Sequence, residues 1–142
     1  MLRLGTVNVA DAGLTDRIEL RLADAKQMPF ADGQFSCVMS NSIVHHIPLP
    51  AEVLADAWRV LGSGGLWLFR DLLRPIDEAT LQRLVEQYAA DADSHQRQLF
   101  ADSLRAALTV DEVGRLAVEL GLSPDDVRQT SDRHWTWTTR KH

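Results

Sequence analysis

Two short apolar runs, Phe35 to Ser40 and Gly65 to Arg70, flank a stretch whose residues Val53, Leu54, Ala57, Trp58 and Leu61 recur at helical spacing. Continuous apolar runs of this length, with β-branched and aromatic members, read as buried strands. The intervening periodicity reads as a helix with one buried stripe. A strand, a helix and a strand in that order make a crossover unit, with the two strands parallel in one sheet and the connection right-handed. That excludes an all-helical bundle and an all-β sandwich.

The remaining elements extend this frame. Leu4, Val7, Ala10 and Ala12 give a weak helical period between Met1 and Gly13, with Gly13 placed as its stop. Ile18, Leu20 and Leu22 alternate with Glu19 and Arg21, which predicts an edge strand with one wet face. Pro29 and Asp32-Gly33 mark a loop and a turn. Pro48 and Pro50 open the crossover helix and Gly62 is placed to end it. A further helix begins near Asp77 with Leu81, Leu84, Val85 and Tyr88 on one face. It breaks in the polar stretch from Asp91 to Arg97 and resumes with Leu99, Phe100 and Leu104.

Thr109 and Glu112 have capping-box spacing ahead of Val113, Leu116, Ala117 and Leu120, and Gly121 follows as terminator. Near the end, Trp135 and Trp137 alternate with His134, Thr136 and Thr138, a half-buried strand whose partner is Val127 to Thr130. Too few residues separate these two for a crossover, so they form an antiparallel hairpin. The expected architecture is α/β, a mainly parallel sheet ending in an antiparallel hairpin, with residues 1–142 in a single domain. Trp58, Trp67, Trp135 and Trp137 are expected in the core or on sheet faces.

Bulk properties narrow the function classes. A formal charge of −5 argues against nonspecific binding to nucleic acid or to an anionic membrane. Cys37 is the sole cysteine, so no intramolecular disulfide forms, which suits a reducing compartment. No apolar run reaches spanning length. A cytoplasmic domain is the expectation.

Between Asp24 and Gly65 one ordered series stands out: Asp24-Ala25, Met28-Pro29-Phe30, Asp32-Gly33-x-Phe35, His45-His46, Arg59-Val60-Leu61 and Gly64-Gly65. Each piece is common alone. In this order and spacing they resemble the small-molecule type of class I S-adenosylmethionine-dependent methyltransferase, sometimes called type 11, a Rossmann-like fold whose sheet ends in an antiparallel hairpin.

The resemblance implies a cofactor, S-adenosyl-L-methionine, and a set of contacts. Asp24 would accept a hydrogen bond from the adenine amino group and the Ala25 amide would meet a ring nitrogen; adenine's edge offers such a donor and acceptor. Asn41 and Ser42, beyond a strand's C-terminal end, would hold the methionine portion. His46 would line the cofactor or acceptor pocket and is the candidate general base. Arg70, Asp71, Arg133 and His134 lie at the same rim and are the candidate contacts to a small-molecule acceptor. Each has a plainer local reading: Asp24 as the cap of a turn, Ser42 as a strand-to-helix turn residue, and the rim charges as ion pairs. Adjacent helical residues point about 100° apart, so His45 and His46 cannot readily chelate one ion, and no metal site is expected.

The family begins with a strand, a glycine-rich loop and a second strand ending in a ribose-binding acid. No such pattern precedes Asp24, and Met1 to Gly13 resembles the helix that follows that second strand. The domain is therefore expected to be N-terminally incomplete, with cofactor affinity weakened. The edge of the Phe35–Ser40 strand must then pair with the Ile18–Leu22 strand or with another chain, and a homodimer is the expected form. The alternatives to an enzyme are a noncatalytic relic serving as an interaction module and, behind both, a metal-assisted hydrolase.

Overall fold

A computed structural model of the chain describes residues 2–142. Helix α1 (Leu2–Asp11) is followed by irregular chain to strand β1 (Phe35–Asn41). A single 3₁₀ turn (Val44–His46) leads to α2 (Pro50–Val60) and β2 (Leu61–Leu72). Then come α3 (Glu78–Tyr88), α4 (Ser94–Ala106), α5 (Val110–Glu119) and the hairpin β3 (Val127–Ser131) and β4 (His134–Arg140). The strand order is β1-β2-β4-β3, with β1 and β2 parallel and both other pairings antiparallel. The α/β class and the closing hairpin agree with expectation; the parallel part is a single strand pair among the described residues.

Register sorts the side chains onto two faces. Trp67, Phe69 and Asp71 of β2 and Trp135 and Trp137 of β4 face one way, and α2 and α5 pack there through Leu54, Ala57, Val113 and Ala117. Trp67 stacks on Phe69 with centroids 4.0 Å apart. Three of the four tryptophans are buried, as their alternation implied, and Trp58 is half-buried. The opposite face carries Met39, Leu68, Arg70 and Thr136, all exposed or half-buried. A second cluster around Leu81, Leu84, Val85, Ala101 and Leu104 joins α3 to α4 and covers Leu72 at the end of β2.

Capping follows the sequence closely. Asp77, Asp93 and Thr109 accept hydrogen bonds from the backbone at the starts of α3, α4 and α5, the last two as full capping boxes. The end of α2 departs from expectation. The helix stops at Val60 and β2 begins at once at Leu61, with no glycine stop. The Lys141 ammonium donates instead to the carbonyls of Trp58 (2.6 Å) and Leu61 (2.8 Å), a cation at a helix C-terminus. Gly62 serves close packing instead. A Cβ there would meet the Gly33 carbonyl oxygen at 2.8 Å, so its absence lets the Asp32-Gly33 turn lie against the start of β2.

Two expectations are corrected. Ile18 to Leu22 forms no strand and pairs with nothing in the sheet; Ile18 and Leu20 are each 41% exposed and Leu22 is 88% exposed. Alternation alone cannot hold a strand without a neighbour to supply ladder hydrogen bonds. Nor is β1 fully buried: only Phe35, Val38 and Ser40 are half-covered, because β2 lies on one side only and its other edge is unpaired among the described residues.

Candidate functional site at the C-terminal rim of the parallel strands

The parallel strands β1 and β2 end side by side at Asn41 and Leu72, where open α/β sheets place their ligands. Ser42 turns the chain out of β1 with a φ of 57°, a left-handed conformation uncommon for a residue with a side chain. Its amide still donates to the Arg70 carbonyl at 2.9 Å, so the turn is tied to β2. The next residues fold back over the rim as the turn Val44–His46.

Asp71 receives that turn. It shares the core-facing side of β2 with Trp67 and Phe69 and is wholly buried. A buried carboxylate must be hydrogen-bonded or shed its charge. Here Oδ2 accepts from the Val44 amide (2.5 Å), and Oδ1 accepts from the Leu72 amide (2.6 Å) and meets His45 Nδ1 (2.5 Å). His45 itself is nearly sealed, its side chain 4% exposed. A donor on Nδ1 leaves Nε2 as the ring's acceptor in the neutral form. Nε2 has no hydrogen bond among the described residues. An aspartate thus orients a histidine whose other nitrogen remains free. His46 is exposed, and its ring is tilted 42° from that of His45 with centroids 4.0 Å apart.

On the opposite face of the sheet from Asp71 lies an open cleft of about 630 Å³, lined by Met39, Asn41, Ser42, Arg70, His134 and their neighbours. Arg70 donates to His134 Nδ1 at 3.0 Å, and the Ser131 hydroxyl lies 2.8 Å from the same nitrogen. Burial, then the charges of Arg70 and Arg133, hold the His134 pKa below the ordinary histidine value. Arg133 lies over the Tyr88 ring, 3.4 Å from its centroid, and Tyr88 donates to Asp132 at 2.7 Å. The hydrogen bond to Asp132 raises the Tyr88 pKa.

Asp24 and Ala25 lie in an exposed turn outside that lining. Asp24 Oδ1 accepts from the Lys26 amide at 3.0 Å, an Asx-type turn. Its Oδ2 lies 3.6 Å from the Lys26 ammonium, an exposed ion pair that still leaves lone pairs on both oxygens. The Ala25 amide has no hydrogen-bond partner among the described residues. An acceptor and a donor side by side suit the edge of an adenine, and on this observation the residues fit an adenosyl group.

The turn is anchored from behind. Arg59 donates to the carbonyls of Met28 (3.1 Å) and Phe30 (2.8 Å) and to Asp32 (2.8 Å), while Asp56 accepts from the Met28 amide (2.7 Å). The Gly33 amide donates to the Arg59 carbonyl at 2.9 Å. The loop motif from Met28 to Gly33 and the helix motif ending Arg59-Val60-Leu61 are therefore two halves of one contact.

The structure gathers Asn41, Ser42, Arg70 and His134 into one cleft and leaves Asp24, Ala25 and His46 outside its lining. Asp71, expected to face an acceptor, spends its oxygens inside the fold. Sequence reasoning named His46 as the candidate base; it is His45, not His46, that the fold pairs with Asp71. Parity held the signal: an acid two residues beyond Phe69 in a strand points into the core and needs a partner there. Asp56, three residues before Arg59 on α2, was also missed.

The comparisons agree on ancestry. Residues 1–69 match the methyltransferase domain family. The 27-O-demethylrifamycin SV methyltransferase of Amycolatopsis mediterranei is 30% identical over 128 residues, covering 88% of this chain and 44% of the relative. A ubiquinone/menaquinone biosynthesis C-methyltransferase of Klebsiella pneumoniae is 28% identical over 116 residues, covering 74% and 45%. The chain therefore spans about half the length of the curated relatives it matches. In fold it resembles a SAM-dependent methyltransferase from Aquifex aeolicus, with a TM-score of 0.61 at 12% identity over 92% of this chain and 58% of that one. By its ordered motifs, its relatives and its fold, the chain belongs to the class I S-adenosylmethionine-dependent methyltransferase family.

Proposed function

We propose that the protein is an S-adenosylmethionine-dependent methyltransferase acting on a small molecule, with His45 as the group that takes a proton from the acceptor. The observation that carries this reading is the His45–Asp71 pair at the rim of the parallel strands. When bound, the cofactor supplies a methyl group on a positively charged sulfur, open to attack by a nucleophile. The chain's own residues do the rest. Asp24 and Ala25 bind the adenine edge, and Asn41 and Ser42 hold the far end of the ligand. Asp71 keeps the proton of His45 on Nδ1, so Nε2 is the atom that accepts one from a hydroxyl or an acidic carbon. A positioned base of this kind contributes about 10²- to 10⁴-fold. The two curated relatives are named for an O-demethylated substrate and for C-methylation, and both chemistries require an acceptor to lose a proton.

The test is transfer from methyl-labelled cofactor to a panel of phenols and enolisable ketones. His45→Gln is expected to lower the rate about 100-fold or more while cofactor affinity holds. Equal rates for the two proteins, or no transfer by either, would sink the assignment.

The unpaired edge of β1 favours a further property, pairing with the same strand of a second copy. If the edge alone is functional, the chain is a noncatalytic interaction module, a reading distinguished by absence of cofactor binding.

A further inference from the structure

Arg70 is the one rim cation whose charge is unanswered. It is half-buried, makes no ion pair among the described residues, and gives its sole hydrogen bond there to a neutral ring nitrogen. A guanidinium cannot lose its proton and carries five donors in a planar fork. Four of those donors are unused. The ring it touches is fixed as well. Because Arg70 can only donate, His134 Nδ1 must accept, and the imidazole proton sits on Nε2. That nitrogen has no partner among the described residues. Asn41 accepts from the Ser42 hydroxyl at 3.4 Å, which leaves the Asn41 amide group free to donate.

The lining is therefore rich in donors and contains no carboxylate, in a chain whose net charge is −5. Met39 and Leu68 supply an apolar wall next to these donors; they pair across β1 and β2 two steps before Asn41 and Arg70 do. A fork of guanidinium donors matches the two oxygens of a carboxylate, and the wall suits an aromatic or alkyl body attached to it.

We propose that this cleft binds a carboxylate carried on an apolar body, with Arg70 as the anchor and the Nε2–H of His134 as a second donor. The proposal names the ligand class of the cleft and rests on the methyl-transfer reading only for the ligand's role. Two sources share this chemistry: an acidic methyl acceptor, and the amino-acid end of the cofactor.

The experiment is calorimetric titration of the protein with 3-phenylpropanoate and with its neutral isostere 3-phenylpropanamide. The acid is expected to bind at least tenfold more tightly than the amide, and Arg70→Gln to abolish that difference. Arg70→Lys, which keeps the charge but not the fork, is expected to retain part of it and guards against loss of fold in the first variant. Repeating the titration with saturating S-adenosylhomocysteine separates the sources: competition identifies the cofactor's carboxylate, and simultaneous binding identifies an acceptor's. Equal affinity for acid and amide, or an acid affinity unchanged in Arg70→Gln, overturns the proposal. Failure of S-adenosylhomocysteine to bind would count against the methyltransferase reading alone, since the acid and amide titrations are made without it.

Discussion

Asp56 and Arg59, three residues apart on α2, lie 2.7 Å apart and between them grip the backbone of Met28, Phe30 and Gly33. The Asp56 carboxyl is held below its ordinary range, first by the Arg59 hydrogen bond, and the Arg59 guanidinium is held above its own by the same bond. The pair fixes the loop that follows Asp24 and Ala25, so it governs both stability and the position of the proposed adenine contacts. Asp56→Ala leaves the Met28 amide without its acceptor and removes one of the four acceptors of Arg59, at a cost of about 2 kcal/mol. Thermal unfolding should show a midpoint lower by roughly 5–10 °C.

Asp71 allows a sharper separation of stability from chemistry. Removing a buried carboxylate that answers three donors should cost about 3–5 kcal/mol, so Asp71→Ala is expected to unfold at markedly lower denaturant. His45→Gln keeps a polar side chain near Asp71 but offers no basic nitrogen. Its denaturation midpoint should stay far closer to that of the parent while methyl transfer is lost. Equal destabilisation by both variants would reduce the pair to a structural pin.

Much of the fold was legible in the sequence. The capping box at Thr109 and the tryptophan alternation of β4 are local signals, each settled by residues within a turn or along one strand; the box at Asp93 was missed, and α4 begins at Ser94 inside the stretch read as a polar break. Ile18 to Leu22 failed because a strand is a relationship with a neighbour, and a period of two says nothing of whether one exists. The stop of α2 was hidden for a similar reason: its cap, Lys141, lies 80 residues from Leu61 along the chain. At the rim, the grouping of Asn41, Ser42, Arg70 and His134 in one cleft was legible, since strand ends follow from topology. Which of His45 and His46 meets Asp71 was not, because that depends on how the chain turns after the left-handed Ser42.

His134 makes stability depend on pH. Its folded pKa lies below the unfolded value of about 6.5, chiefly through burial and then through Arg70 and Arg133. The unfolded chain therefore binds the proton more readily. The stabilisation this group contributes is complete above the unfolded pKa and is lost as pH falls below it toward the folded pKa. Other groups facing the ring include Asp132 and Asp71, whose charges oppose but do not reverse the shift. Denaturant melts between pH 7.5 and 5 should show His134→Gln losing less stability on acidification than the parent chain.

The open edge of β1 predicts association. Light scattering after size exclusion should give twice the chain mass, and a proline replacing Val38 in that strand should return a monomer. A dilute, stable parental monomer would contradict edge pairing. Exposed Cys37 on the same strand offers a second readout: its alkylation should slow as protein concentration rises.

The most direct measurement is calorimetric binding of S-adenosylhomocysteine to the parent chain and to Asp24→Ala. The account predicts binding at or below the high-micromolar range, weakened roughly tenfold by the substitution, as expected for loss of a hydrogen bond to a charged group. No heat at millimolar ligand, or an affinity indifferent to Asp24, would contradict it.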